Sequence, residues 1–377
     1  MKTAIACGGT GGHIFPGLAT AEVLRRRGHE IELWLAGKDV ETPAVQGWAG
    51  PIVTVPSEGL PSGFSPRAFR SVWKMLRAAQ LCRQGMRERR PDVLLAMGSY
   101  ASAGPVYGAL RWRIPIILHE ANVLPGRAIR LFSRWATAVA VSFEESGYYL
   151  RRGDLVCTGM PLRGDLEQAA RIPVAPDPSR DLFMVLIMGG SRGAHRLNEM
   201  ASEAVLRAHA AGHRIGVIHL AGYADENAMR QAYAQAGVPH EVFPFTNDMA
   251  SLYRRADIAV CRAGAATCAE LAIFALPALL VPYPFAAYDH QTANARALEK
   301  KGAADVVPEE DLTIEWLADY LVSIMRNPGR LARQRAAARL RATGNGAEAL
   351  ADLVEKVAEA HGCVKKYRPQ RACPAGE

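Results

Sequence analysis

Short apolar runs rich in strand-forming residues recur along this chain, each followed by a segment of helical length. They fall at Thr3–Cys7, Ile31–Ala36, Ile52–Val55, Asp92–Met97, Ile114–His119 and Thr137–Val141, and again at Leu182–Met188, Arg214–Leu220, Glu241–Phe243, Ile258–Cys261, Ala278–Val281 and Asp305–Val307. Runs this short read as strands, and their alternation with helical stretches is the pattern of βαβ units, which build a parallel sheet covered by helices on both faces. Between the two series lies a polar, proline-rich stretch, IPVAPDPSRD at 172–181, that cannot continue a helix. The sequence therefore predicts an α/β chain of two Rossmann-like, doubly wound domains, residues 1–171 and 182–360, joined by a linker at 172–181. A length of 377 residues agrees, being too long for one ordinary hydrophobic core. Helical patterns at Ile314–Arg326, Arg330–Ala342 and Ala347–Ala360 close the chain, and residues 361–377 are expected to form a disordered tail without assigned function.

Both halves open alike, with a strand, a glycine loop and a helix. The first loop is Gly8-Gly9-Thr10-Gly11-Gly12-His13 and the second is Gly189-Gly190-Ser191-Arg192-Gly193. Glycine lets a backbone approach a ligand closely, and the helix start adds unpaired N–H donors and the positive end of a dipole, which suits phosphate or diphosphate. One such loop says little, because any doubly wound domain needs a tight turn there; two matched loops say more. Neither reads G-x-G-x-x-G or G-x-x-x-x-G-K-[ST], so a dinucleotide or ATP loses support as the ligand.

The loops belong to longer strings: GGTGGHIFPGLA at Gly8–Ala19, HEANVLPG at His119–Gly126, GGSRGAHRLN at Gly189–Asn198, CRAGAATCAE at Cys261–Glu270 and DHQTANA at Asp289–Ala295. In this order and spacing, over nearly the whole chain, they resemble the glycosyltransferases of the two-Rossmann GT-B fold. Within that fold they resemble the MurG family of peptidoglycan synthesis, which transfers N-acetylglucosamine from UDP-GlcNAc to undecaprenyl-linked muramyl-pentapeptide. The resemblance implies a cleft between the two domains and a direct displacement that inverts the anomeric carbon from α to β, with no cofactor. A different lipid or peptidoglycan-like acceptor, a UDP-sugar epimerase on the same fold, and an inactive nucleotide-sugar-binding scaffold are the other readings.

Residue by residue, the resemblance puts the UDP-sugar mainly in the C-terminal half. Ser191 and its loop would hold the diphosphate with Arg163 beside it, and the backbone around Thr246 would read the uracil edge. Glu270, next to the matching Ala265, Ala266 and Thr267, would accept from ribose hydroxyls, and Gln291 with His290 would contact the sugar. A carboxylate in the first turn of a helix is stabilised by the dipole whatever its role, which is the plain alternative for Glu270. The N-terminal half would take the acceptor, with Thr10, Gly11, Gly12 and His13 at the cleft and Tyr100, His119, Glu120 and Asn122 around it; Thr10, Gly11, Gly12 and Asn122 would also border the UDP-sugar. His13 is expected to be the general base that deprotonates the acceptor hydroxyl, with Glu120 the next candidate. His119 ends a strand at its carboxyl edge, where open α/β sheets place ligands, and reads equally as a positioning residue. Three positions depart from the family pattern: Met160 stands where Asn is common, Ser99 where Gly is, and Ala121 where Gln is. No D-x-D sequence and no metal-ligand spacing occurs, so no metal is expected, and the leaving UDP would be stabilised by helix ends, Ser191 and Arg163.

A formal charge of +8 implies attraction to a polyanion. The absence of zinc-finger spacing, of an aromatic RNA-binding signature and of a recognition-helix pattern points away from nucleic acid, leaving lipid and diphosphate. In Pro66–Arg90, Phe69, Val72, Trp73, Leu76 and Leu81 share a helical face amid Arg67, Arg70, Lys74, Arg77 and Arg83. That is a basic amphipathic helix suited to an anionic bilayer, or a crossover helix with its apolar side in the core. A lipid-linked substrate favours the membrane. The most apolar stretch, Leu271–Ala287, is cut by Pro277, Pro282 and Pro284 and does not read as a bilayer span. With no room for a signal peptide before the strand at Thr3, and seven cysteines without a C-x-x-C pair, the expected location is the cytoplasmic face of the plasma membrane, as a peripheral protein. A cell-wall synthesis complex is a further partner the resemblance leaves open.

Overall fold

The computed structural model describes residues 1–55, 66–150, 154–172, 181–189, 194–342 and 344–362, and only the backbone of 38, 43, 44, 66–76 and 341. Most of the predicted linker, the predicted tail from 363 and the second glycine loop from Gly190 to Gly193 lie outside the described residues.

Two sheets carry the chain. The first holds β1 (Lys2–Ala6), β2 (Glu30–Ala36), β3 (Ile52–Val55), β4 (Val93–Ala96), β5 (Ile116–Glu120), β6 (Ala138–Val141) and β7 (Leu155–Cys157), in the order β3-β2-β1-β4-β5-β6-β7. The second holds β8 (Phe183–Met188), β9 (Ile215–Leu220), β10 (His240–Phe243), β11 (Ile258–Cys261), β12 (Ala278–Leu280) and β13 (Asp305–Val306), in the order β10-β9-β8-β11-β12-β13. Strand pairs run parallel, with Ile5 opposite Leu33 on one side and Leu95 on the other, and Leu186 opposite both Ile218 and Ala259. These are the two doubly wound sheets expected from the alternation. The strand not anticipated, β7, is three residues long, and Val156 and Cys157 are exposed, so it lacks the apolar run that marks the others.

Alternate residues of β8 show why the strands read as continuous apolar runs. Val185 and Ile187 join Leu197, Leu317, Leu321 and Ile324 in a core on one face, whereas Leu186 and Met188 join Leu252, Leu271 and Leu298 on the other. In each sheet the chain runs outward from its first strand, then returns to that strand's other side: β4 beside β1, and β11 beside β8. Ligands of open α/β sheets bind outside the carboxyl ends of the strands at such a reversal, and each glycine loop follows the first strand of its sheet.

The compact units are drawn differently from a simple cut at 172–181. One comprises Met1–His119, Ala128–Val139 and the chain from Glu348; the other comprises Glu120–Arg127 and Ala140–Ala347. The last helix, Gly346–Ala360, therefore contributes to the first unit, and charge explains part of this. Arg27 pairs with Glu348, Asp352 and Glu355, Arg26 with Glu348, and His29 Nε2 lies 2.6 Å from Glu355. On the same helix Leu350, Ala351, Val354 and Ala358 are fully buried. Gly346 starts this helix where a Cβ would fall 2.3 Å from the Met160 carbonyl oxygen. Gly346→Ala is accordingly expected to destabilise the protein by about 1–3 kcal/mol, read as a lower midpoint in chemical unfolding; an unchanged midpoint would refute this close contact. Among the described residues no helix is long and apolar enough to cross a membrane.

Candidate active site

At the reversal of the first sheet, the loop after β1 is pressed against the end of β2. A Cβ on Gly8 would lie 2.7 Å from the Ala36 amide nitrogen and 2.8 Å from Asp39 Oδ2, and Gly9 has φ of +126°. Asp39 is buried and accepts from the Gly9 amide at 2.6 Å. In dinucleotide-binding folds an acid in this region takes a ribose hydroxyl; here it is spent on the loop itself. Thr10 follows in an extended conformation and starts the helix Gly11–Arg26. Its carbonyl accepts from the amides of His13 and Ile14 at 2.9 and 3.0 Å, and its Oγ1 lies 3.0 Å from His13 Nδ1. The ring of His13 is thus oriented by Thr10, with Gly11 and Gly12 exposed beside it. From the end of β4, Ser99 packs over Gly9, and the partly exposed Tyr100 follows. His119 is only 1% exposed, so its imidazole sits inside the fold and not at a surface.

The segment after β5 is organised by Glu120. Its Oε1 accepts from the Asn122 amide at 2.8 Å and from Asn122 Nδ2 at 3.3 Å, and its Oε2 accepts from the Gly126 amide at 2.8 Å. Burial pushes this carboxyl above its ordinary pKa, and the hydrogen bonds from Asn122, Gly126 and Ala121 pull it back. With both oxygens taken up by the chain's own N–H groups, the carboxylate shapes the turn that presents Asn122.

At the reversal of the second sheet, β11 leads through Arg262, Ala263 and Gly264 into the helix Ala265–Ile273. No side chain caps this helix, so the amides of Ala265, Ala266 and Thr267 lie at an uncapped start that suits oxygen ligands. Glu270 is the sixth residue of the helix, beyond the first turn where the dipole alone would account for it. Its Oε2 accepts from the hydroxyl of the buried Tyr253 at 2.5 Å. Burial raises the Glu270 pKa and Asp165 adds to the rise, while the Tyr253 hydrogen bond and the Arg163 charge oppose it. Arg163 Nη2 donates to the Asn247 carbonyl at 3.1 Å, next to Thr246, whose Oγ1 accepts from the Asp248 amide at 3.0 Å.

Gln291 closes the group from the helix His290–Glu299. Its Oε1 accepts from the amides of Ala263 and Tyr283 at 3.2 and 3.0 Å, which turns the NH2 end of the carboxamide away from them. Before it, Tyr288 and Asp289 both adopt left-handed φ, +56° and +55°, and His290 Nδ1 bonds the Ala287 carbonyl at 2.6 Å. The structure thus brings Arg163, Thr246, Ala265 to Thr267, Glu270 and Gln291 into one linked set, and Thr10 to His13 with Tyr100 into another. Ser191 falls among the residues not described. Among the described residues no group of three or more His, Cys, Asp or Glu side chains is placed to hold a metal ion.

Two domain models of one family match in chain order: the glycosyltransferase family 28 N-terminal domain over residues 3–141 and its C-terminal domain over residues 184–357. A UDP-N-acetylglucosamine–N-acetylmuramyl-(pentapeptide) pyrophosphoryl-undecaprenol N-acetylglucosamine transferase of Syntrophotalea carbinolica is 40% identical over 90% of this chain and 94% of its own. A protein of the same name from Rhizobium meliloti is 35% identical over 98% of both chains. The crystal structure of Acinetobacter baumannii MurG superposes with a TM-score of 0.78 at 28% identity, covering 94% of this chain and all of that one. The chain is a family 28 glycosyltransferase, of the MurG family.

Three residues of this MurG-family chain escaped the sequence reading although they organise the sets above. Asp39 holds the first glycine loop, Tyr253 orients Glu270, and Asn294 bonds Asn122, Val123 and Ala263. Asn294 stood in the string DHQTANA without a role, whereas Asp39 and Tyr253 lie in none of the strings and carry no local signal.

Proposed function

We propose that this glycosyltransferase moves N-acetylglucosamine from UDP-GlcNAc to undecaprenyl-diphospho-muramyl-pentapeptide, inverting the anomeric carbon and using no metal or cofactor. The observation that carries the reading is the set around β11. Glu270, fixed by Tyr253, offers a carboxylate to ribose hydroxyls, the backbone at Thr246 meets the base, and the uncapped start at Ala265–Thr267 takes oxygens. Arg163 takes the diphosphate, a role the family resemblance also gives to Ser191, and the Gln291 amide with His290 meets the sugar. On the acceptor side, Thr10, Gly11, Gly12 and Tyr100 border the lipid-linked substrate, with Asn122 reaching the sugar; His119 and Glu120 act through the strand end and the turn they hold.

In the reaction the acceptor hydroxyl oxygen bonds to the anomeric carbon as the bond from that carbon to UDP breaks. The electron pair leaves with UDP, stabilised by Arg163 and helix N–H groups, and the hydroxyl proton passes to His13. The Thr10 hydroxyl lies 3.0 Å from Nδ1, and in the tautomer that donates from Nδ1 the proton is taken at Nε2. Incubation with radiolabelled UDP-sugars and a polyprenyl-linked muramyl-peptide tests the reading: label from UDP-GlcNAc alone is expected in the lipid. Labelled epimer formed without lipid, or transfer only to another lipid such as diacylglycerol, would replace it.

The enzyme is proposed to work at the cytoplasmic face of the membrane through the segment 66–90. In the helix Pro66–Arg89, Ala78, Cys82 and Met86 are buried, while Arg77, Leu81 and Arg83 are exposed; Trp112, also exposed, packs under Arg87. The core-facing stripe and the exposed basic surface are therefore separate. Flotation with liposomes is expected to require anionic lipid and to weaken with salt and when Arg70, Lys74 and Arg77 become Glu. Indifference to all three would leave an ordinary crossover helix.

A further inference from the structure

Asn294 is fully buried, and every hydrogen-bonding end of its side chain is engaged. Its Oδ1 accepts from the Val123 amide at 2.9 Å, and its Nδ2 donates to Asn122 Oδ1 at 3.1 Å and to the Ala263 carbonyl at 3.2 Å. One turn earlier on the same helix, Gln291 takes the N–H of that same Ala263. Two carboxamides from one helix therefore grip both backbone groups of Ala263, two residues before the uncapped start at Ala265. Only the Asn294 carboxamide also holds the turn after β5.

We infer that Asn294 is a positioning residue, which locks the Glu120–Gly126 turn to the Ala263–Thr267 segment and thereby sets where Asn122 meets the donor sugar. The inference rests on the proposed UDP-GlcNAc reading. Glu120 gives the turn its internal shape, binding Asn122 and Gly126, but nothing in that set ties the turn to the second sheet; Asn294 does. With Asn294 fully buried, its effect travels through Asn122 and Ala263, the groups it holds. An aspartate here would keep an acceptor for Val123 but would set a carboxylate against Asn122 Oδ1 and the Ala263 carbonyl, moving the turn while leaving the nucleotide's own contacts in place.

The test compares UDP and UDP-GlcNAc binding by calorimetry for the wild type and Asn294→Asp, together with turnover. Asn294→Asp is expected to change UDP affinity by less than about twofold, to weaken UDP-GlcNAc about 10-fold, and to lower kcat by roughly 10- to 100-fold, the scale on which small misplacements act. Asn294→Ser, which keeps a shorter hydroxyl donor and acceptor, is expected to lie between the two and serves as the test if the aspartate variant does not fold. The inference is overturned if UDP and UDP-GlcNAc weaken in parallel, which is general support of the domain, or if both ligands and kcat stay at wild-type values. Absence of wild-type transfer would sink the proposed function, whereas the UDP-GlcNAc to UDP affinity ratio reads Asn294 without turnover.

Discussion

His13→Ala is expected to lower kcat by ~10²–10⁴-fold while UDP-GlcNAc binding stays nearly unchanged, the loss associated with a positioned general base. The residue closes the glycine loop at the reversal of the first sheet, and the loop is fixed from below by Asp39 and at the helix start by Thr10. Imidazole takes and releases a proton near neutral pH, and here its ring is aimed by a hydroxyl at Nδ1. The competing role is binding of the acceptor's phosphate, which would appear as a raised acceptor KM with kcat preserved at saturation. Steady-state kinetics with the lipid acceptor varied separates the two. Glu120 is the poorer substitute for the base, because both of its oxygens already accept from the turn it shapes.

A second large effect is expected at Glu270. Replacing it with Ala removes the proposed charge-assisted ribose contact, worth about 1.5–3 kcal/mol, which corresponds to an expected loss of roughly 10- to 150-fold in kcat/KM for the donor, with the fold intact. Tyr253→Phe probes the same carboxylate by pH. Burial already holds the Glu270 pKa above its ordinary value, and the Tyr253 hydroxyl lowers it; without that hydroxyl the pKa rises further. Because the proposed ribose contact needs the ionised form, activity is expected to fall as pH drops through this pKa, so the acid limb of kcat/KM for UDP-GlcNAc should move to higher pH in the phenylalanine variant. Unchanged donor kinetics in a folded Glu270→Ala enzyme would remove this residue from the site, and an unmoved acid limb would remove Tyr253 from its support.

What could be read without coordinates followed from local pattern. Strands buried on both faces leave continuous apolar runs, so the sheets were legible down to β13, whereas the exposed β7 left no trace. The first glycine loop advertises itself because backbone geometry demands it, and it lies at the reversal of the first sheet. The residues that hold that loop and the turn after β5 do not advertise themselves, since each is an ordinary polar side chain whose partner is remote: Asp39 is 30 residues from Gly9, and Asn294 is 171 from Val123. Glu120 shows the complementary case. A carboxylate inside a family string reads as chemistry, and only the amides folded around it reveal a scaffold. The division into compact units was hidden for a related reason: the ion pairs between Arg27 and the last helix span more than 320 residues.

That last helix has a consequence for the order in which the protein can be completed. The second unit, apart from the short Glu120–Arg127 turn, is one unbroken stretch ending at Ala347, and all of it has been made before most of the helix Gly346–Ala360. The first unit includes Met1–His119 yet lacks Leu350, Val354 and the carboxylates that face Arg27 until the helix Gly346–Ala360 has been made. On the ribosome the first unit therefore waits for a helix made after the whole of the second, against the usual N-to-C progression of domain folding. A chain stopped short of this helix would carry a whole second unit and an open first one, so messages or expression plasmids truncated there should yield a half-folded enzyme and not a merely shortened one.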